Sequence, residues 1–353
     1  MTETGPSWGV VALVDEPAAL TAAFVAHHLV QGASEVHVCL DRPDAETQDL
    51  LAGVGDVRVW IAGQDGWADS WQNQRPLRHQ GRQKYMATHA YQASRADWML
   101  HCDADEFLHQ VRPLRTDLAH SDPNKHWRRL LVHERVFLSR ETPAHIFSGQ
   151  FRSDWKDRGD AAFEIYGFGA RYLNRGLTGH VAGKAITRTG HPYALGVHFP
   201  LRDYHVTVND IPYAPSKSVF LMHFDGLTPL HYALKMLRRE MTVVKGPQVA
   251  YGDYRRAQYS DMAAAAGDPN AVRDMHWLCQ GLSHRQVRAL SRKKLLHDDA
   301  PDIPGAVRQV FGDKVDLSPA AFDRALIRRE PELIARARDR YGFDAEAVSS
   351  ATG

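Results

Sequence analysis

Residues 98–108, WMLHCDADEFL (Trp98 to Leu108), decide how the chain is read. A short, mostly apolar run ends in Asp103, Asp105 and Glu106, and Phe107-Leu108 returns at once to apolar character. Gathering three carboxylates between two apolar runs is costly unless a cation or hydrogen bonds compensate them. In extended backbone Asp103 and Asp105 project to one face with Cα atoms about 6–7 Å apart, near enough to share one cation. This is the only Asp-x-Asp of the sequence. A capped turn is the competing reading, because Asp favours such positions whatever the function.

Upstream, residues 8–14 (WGVVALV), 35–40 (EVHVCL) and 57–62 (VRVWIA) are β-branched runs too short for helices. Residues 17–31, 45–51 and 82–95 carry helical spacing between them, with Pro17 suited to a first turn and Gly32 to a C-cap. This alternation predicts an α/β fold whose parallel sheet is covered on both faces. Strand C-termini and helix N-termini then share one edge, where ligands bind. The strands deliver Asp15 and Glu16, then Asp41, then Asp65, then Asp103, Asp105 and Glu106 to that edge. Arg82 and Lys84 open the helix that leads into the fourth strand. Acids able to hold a metal or a nucleoside thus meet cations able to hold phosphates. For Asp15, Asp41 and Asp65 turn formation is the alternative role.

Downstream, residues 125–225 are strand- and loop-rich and punctuated by Gly167, Gly169, Gly176, Gly179 and Gly183. From residue 229 helices are expected over 230–244, 254–265, 283–296, 303–311 and 319–341. No internal repeat is present.

Composition bounds the function. The 353 residues hold 43 Lys+Arg against 42 Asp+Glu, and a net charge of +1 leaves no cation excess for a nucleic-acid partner. No run approaches the length of a membrane span, and the opening MTETGPSWGV lacks the basic and apolar regions of a secretion signal. Cys39, Cys102 and Cys279 form no Cys-x-x-Cys pair and read as buried thiols of a reducing compartment. A cytoplasmic protein is expected, at most peripheral to the inner face of a membrane.

The stretch GRQKYMATHAYQASRADWMLHCDADEFL, ending at Leu108, resembles the GT-A glycosyltransferases, in particular a family-2-like bacterial group with a D-[AV]-D-E-F-[LI] signature. AAFVAHHLVQGASEVHVCLD, ending at Asp41, and MHFDGLTPLHYALKMLRR, residues 222–239, are similar to two further segments of that group. The resemblance covers about residues 8–240. It implies a GT-A catalytic domain over residues 1–240, a mostly parallel sheet flanked by helices, and a helical C-terminal extension over 241–353.

The resemblance further implies that Asp103 and Asp105 bind Mn²⁺ or Mg²⁺, that this cation bridges the diphosphate of a nucleotide-sugar donor, most readily a UDP-sugar, and that Asp15, Glu16 and Asp41 meet the base or ribose. Arg82 and Lys84 stand where the group places a basic residue near the donor. His223 matches a late histidine ligand, with His198 as its rival and a hydrogen-bonded core histidine as the alternative for both. Glu106 supports the metal shell or caps the next turn. Lys217, Lys235 and Arg238 flank the phosphates or belong to a solvated face. The acceptor is a hydroxyl of a glycan or a lipid-linked molecule.

The chain lacks the downstream Glu-Asp dipeptide that supplies the inverting base in that group, so Asp154, Glu164 and Asp225 are candidates by position alone. Residues 241–353 could cover the acceptor, form a homo-oligomer surface or dock on a partner. Arg285, Arg288, Arg292, Lys293 and Lys294 make a modest basic stripe there, for which a solvated helix face is the favoured reading. Two other functions stay open: a non-catalytic nucleotide- or partner-binding protein of the same fold, and a sugar nucleotidyltransferase, which normally carries a Gly-rich loop where Asp15-Glu16-Pro17 stands here. A phosphohydrolase would want its acid pair after the first strand.

Overall fold

The computed structural model describes residues 5–64, 67, 74–156, 161–204, 210–242 and 252–350; Asp65 and the expected helix end at 243–244 lie outside them. Trp8–Val14 (β1) is buried along its whole length, which is why its sequence is continuously apolar. Ala18–Val30 (α1), Glu35–Leu40 (β2), Ala45–Leu51 (α2), Val57–Ile61 (β3), His79–Ala93 (α3) and Trp98–His101 (β4) follow. Asp44 caps α2 by accepting the Thr47 N–H at 2.9 Å. β1 pairs in parallel with β2 and β4, and β2 with β3, so the strand order is β3-β2-β1-β4. The winding therefore reverses between β1 and β4, where open α/β sheets form their ligand crevice. The alternation of the first hundred residues was a sound guide to this half of the sheet.

Glu106–Gln110 (β5), Leu114–Ala119 (α4), Trp127–Val136 (β6), Gln150–Ser153 (β7) and Ala161–Tyr166 (α5) come next, then a 3₁₀ turn over Gly167–Tyr172. Lys184–Arg188 (β8), Ala194–Leu195 (β9), Pro200–Leu201 (β10) and Tyr213–His223 (β11) complete the middle. Here the pairing turns antiparallel: β4 with β8, β8 with β6, and β6 with β7. The sheet is thus mixed rather than parallel throughout. Antiparallel neighbours need no helical crossover, which matches the loop-rich sequence of this region.

The C-terminal helices are Pro229–Thr242 (α6), Asp253–Ala265 (α7), Pro269–Gln280 (α8) and His284–Arg292 (α9). After Leu296–His297 (β12) come Ile303–Phe311 (α10), Pro319–Arg329 (α11), Pro331–Tyr341 (α12) and Ala345–Ser350 (α13). The single helix expected over 319–341 is two, broken at Glu330, because a proline disfavours helical backbone in the residue before it and brings no N–H of its own. α8 lies between the expected helices, started by Asp268 as its cap and Pro269 in its first turn.

Two compact units divide the chain. The first comprises residues 1–132, 182–221 and 301–315, the second residues 133–181, 222–300 and 316–353, and the division falls inside β6 and β11. Residue 240, where the catalytic part was expected to end, lies within α6 of the second unit. In the first unit Val11, Leu13, Met86, Ala90 and Met99 fill the layer between the sheet and α3, and α1 packs on α10. In the second, Val136, Tyr166, Leu173, Leu282 and Leu290 form an apolar cluster. Cys39, Cys102 and Cys279 are buried thiols. Among the described residues no helix is long and apolar enough to cross a membrane.

Candidate functional site

In the first unit, β1 and β2 run in register with Val14 opposite Leu40, so Asp15 and Asp41 leave neighbouring strands side by side. Asp15 pairs with Arg42 at 2.7 Å, and Glu16 follows it, partly buried. Asp41 is the more enclosed. It accepts from Arg82 Nε and Nη2, both at 2.7 Å, and from Arg75 Nη2 at 2.7 Å, while His79 Nδ1 lies 3.7 Å away. Burial by itself raises this carboxyl, but the bonds from His79 and Arg82 and the charges of Arg82 and Arg75 outweigh it and hold Asp41 well below the usual range. The third nitrogen of Arg82 donates to the carbonyls of Pro76 and Leu77 at 2.9 and 3.1 Å, so its whole guanidinium is committed. Arg82 lies in the first turn of α3 and Lys84 in the second. Lys84 is partly buried, and burial alone lowers its pKa.

The acidic run does not continue β4 as extended backbone. Ala104 and Asp105 form a turn closed by the Glu106 N–H on the Asp103 carbonyl at 3.1 Å. Glu106 Oε2 in turn accepts the Asp103 N–H at 2.8 Å, and this reciprocal bonding is what bends the chain. The pairing of β4 with β8 sets His101 opposite Ala185, which brings Lys184 to the acids. Its ammonium, entirely buried, lies 2.9 Å from Asp103 Oδ2 and 3.3 Å from Glu106 Oε2. Burial would lower the Lys184 pKa, but Asp103 and Glu106 outweigh it and raise it. Gln83 on α3 donates to Asp103 Oδ1 at 2.6 Å. Asp105 is buried in the same turn. Asp103, Asp105 and Glu106 gather carboxylate oxygens in one turn, and oxygen donors of this kind suit a hard divalent cation. His198 belongs to this unit too, its Nδ1 3.0 Å from the carbonyl of Gly183. Lys217 is exposed on β11.

The second unit holds the other candidates. His223 is buried with its Nδ1 3.8 Å from Glu134 Oε2. Glu134 accepts from Arg152 Nη2 at 2.8 Å and from the N–H groups of Thr178 and Gly179 at 2.7 and 2.6 Å. Burial opposes its ionisation, yet His223 and Arg152 outweigh that and lower its pKa. A side chain at Gly179 would put its Cβ 2.7 Å from the His223 ring and 2.9 Å from Glu134, so only glycine fits. Asp225 is fully buried between Lys235 at 2.8 Å and Arg255 at 3.3 Å, whose charges hold it well below the usual range against the opposing effect of burial. Asp154 is paired with Arg175, Arg238 with Glu330 at 2.7 Å, and Glu164 is exposed on α5. Lys184, Glu134 and Arg152 are not marked in the sequence, where each is one polar residue among others in its strand.

No protein-family model matches the chain, and no curated protein matches it. Solved structures with partial likeness include glucosyl-3-phosphoglycerate synthase from Mycobacterium tuberculosis, in complex with Mn²⁺, UDP and glucosyl-3-phosphoglycerate. It is 18% identical over 38% of this chain and 46% of its own, with a TM-score of 0.26. GalNAc-T7 with UDP, GalNAc and Mn²⁺ is 11% identical over 73% of this chain and 55% of its own, with a TM-score of 0.33. A nucleotidyl transferase from Methanothermobacter is 18% identical over 39% of this chain and 63% of its own, with a TM-score of 0.22. The chain thus spans less than half of the synthase, and none of these likenesses assigns it an activity.

Proposed function

We propose that the chain is a metal-dependent glycosyltransferase that moves a sugar from a nucleotide donor, most readily a UDP-sugar, to a hydroxyl of a glycan or lipid-linked acceptor. The observation that carries this reading is the acidic turn Asp103-Ala104-Asp105-Glu106 at the carboxyl end of β4, beside the point where strand order reverses. Gln83 and Lys184 fix Asp103 there, and the clustered carboxylate oxygens suit a divalent cation. Asp103 and Asp105 would hold Mn²⁺ or Mg²⁺, with His223 as the third ligand that the sequence suggests. When bound, the cation supplies charge neutralisation for a nucleoside diphosphate leaving group.

The chain's own residues do the rest. Lys84, partly desolvated on α3, offers a cation to the donor phosphates. Arg82 holds Asp41 in place by a two-point clamp, and Asp41 with Asp15 and Glu16 lines the strand ends that would meet ribose or base. Asp154, Glu164 and Asp225 remain the base candidates. Two ion pairs on Asp225 suit it least, because a base with so low a pKa takes up protons poorly near neutrality. Residues 1–240 would form the catalytic part and 241–353 a helical extension.

The test is a panel of nucleoside diphosphates in thermal shift, each with and without Mn²⁺, followed by donor turnover with the best base. A rise in melting temperature that requires the metal supports the reading, since ligand binding to the native state raises stability by mass action. Binding of no nucleotide, or binding indifferent to metal, removes it.

A further inference from the structure

We propose that the face of the second unit formed by α9, α5 and the 3₁₀ turn after it docks on an anionic phospholipid surface. Residues 283–295 carry Arg285, Arg288, Arg292, Lys293 and Lys294 and no acid, and all five cations are exposed. Among the described residues none of them is held by a carboxylate; Lys293 instead lies over the ring of Trp155 at 4.8 Å. α9 is held to the unit by its other face, with Leu290 buried and Val287 packed into the apolar cluster. A capping box at Ser283 and Gln286 fixes its start. The cations are therefore presented on a rigid support.

The same cluster takes in Ala162 and Ile165 of α5 and Ala170 of the 3₁₀ turn, so both segments lie over it with α9. What they turn outward is unusual. Phe163 is 63% exposed and Phe168 58% exposed. Between α5 and α9 a surface cleft of about 450 Å³ is lined by Glu164, Ile165, Ala289, Arg285, Arg292 and Lys293, three cations against one acid. Cations that gather acidic headgroups, with exposed aromatic rings on the adjoining segments, one of them under the Arg171 guanidinium at 5.0 Å, are the composition that peripheral membrane contact requires. Basic charge alone would suit any polyanion; the two exposed phenylalanines select a surface with an apolar interior. The proposal is independent of the catalytic assignment.

The experiment is co-sedimentation of the full chain with vesicles of phosphatidylcholine and phosphatidylglycerol at about 7:3, against vesicles of phosphatidylcholine alone. Binding is expected only to the first, weakening as salt is raised. With each basic residue worth about fivefold in partitioning, Arg285→Gln with Arg292→Gln should weaken binding about 25-fold. Phe163→Ser with Phe168→Ser should weaken it several-fold while leaving the salt dependence unchanged. As a control for net charge, Arg328→Gln with Arg336→Gln removes the same charge from exposed positions of α11 and α12 and should leave binding intact. Failure to bind the anionic vesicles at low salt, an equal loss in the control pair, or tighter binding of a single-stranded oligonucleotide than of the vesicles each overturns the proposal.

Discussion

Lys184 places its ammonium 2.9 Å from Asp103, a residue 81 positions earlier in the chain, and does so from full burial. The acids at the end of β4 thus carry a resident cation supplied by the fold itself. Lys184→Met should leave Asp103 and Glu106 without it and lower stability by about 3–5 kcal/mol, the usual cost of breaking a buried pair. It should also enlarge the stabilisation given by Mn²⁺, because Asp103 and Glu106 then lack the ammonium that offsets part of their charge. Urea unfolding of both proteins, with and without the metal, measures this. A variant whose stability and metal response both equal the parent's would remove Lys184 from the site.

Asp105 and His223 are separable. Asp105→Asn removes a ligand charge from a turn closed by backbone bonds, so the chain should fold while metal-dependent nucleotide affinity falls by about tenfold or more. His223→Gln should lower Mn²⁺ affinity if the histidine ligates. Should calorimetry find only reduced stability, with metal affinity unchanged, His223 would be a partner of Glu134 and nothing more.

Arg82 and Lys84 are predicted to act differently although two residues separate them. Every nitrogen of Arg82 is engaged within the protein, so Arg82→Ala should destabilise the fold and weaken nucleoside and nucleoside diphosphate alike. Lys84→Ala should weaken the diphosphate about five- to tenfold and spare the nucleoside, the scale of one charge-assisted hydrogen bond. Equal losses for both ligands in the lysine variant would return it to the solvated face.

Acid should unfold the protein through its buried histidines. His27 is enclosed, with its Nε2 2.7 Å from the carbonyl of Leu108, and burial lowers its pKa to about 4. The unfolded chain, near 6.5, binds the proton more readily, so this contribution is present above pH 6.5 and is lost as pH falls toward 4. Between pH 7 and pH 5 it amounts to about 2 kcal/mol. His27→Gln should flatten the pH dependence of urea unfolding over that window by about this amount. An unchanged slope would place the sensitivity elsewhere, with His101, also lowered to about 4 by burial, as the next residue to change.

The part of this fold that can be read from sequence is the part built by local pattern. β1, β2 and β3 begin where their apolar runs begin, and α10 matches its expected span, because each announces its own period and punctuation. The antiparallel β8 does not, since its partners β4 and β6 are named only by tertiary pairing. The same distinction divides the site. Asp15, Asp41 and Asp103 stand at strand ends that the sequence marks, whereas Lys184 sits in GKAITR with nothing nearby to say which acids it meets. Glu134 and Arg135 are adjacent charges buried in β6, but the strand also carries Arg128, Arg129 and His133, so its sequence does not show which of its charges lie inside and need partners.

The antiparallel seam between β4 and β8 has a consequence for folding. Slipping β8 by a single residue would swing Lys184 to the opposite face of the sheet and leave three carboxylates crowded together in its absence. The observed alignment sets the ammonium against Asp103 and Glu106. The lysine therefore works as a proofreader of strand alignment, since a one-residue slip of β8 forfeits its ion pairs with Asp103 and Glu106.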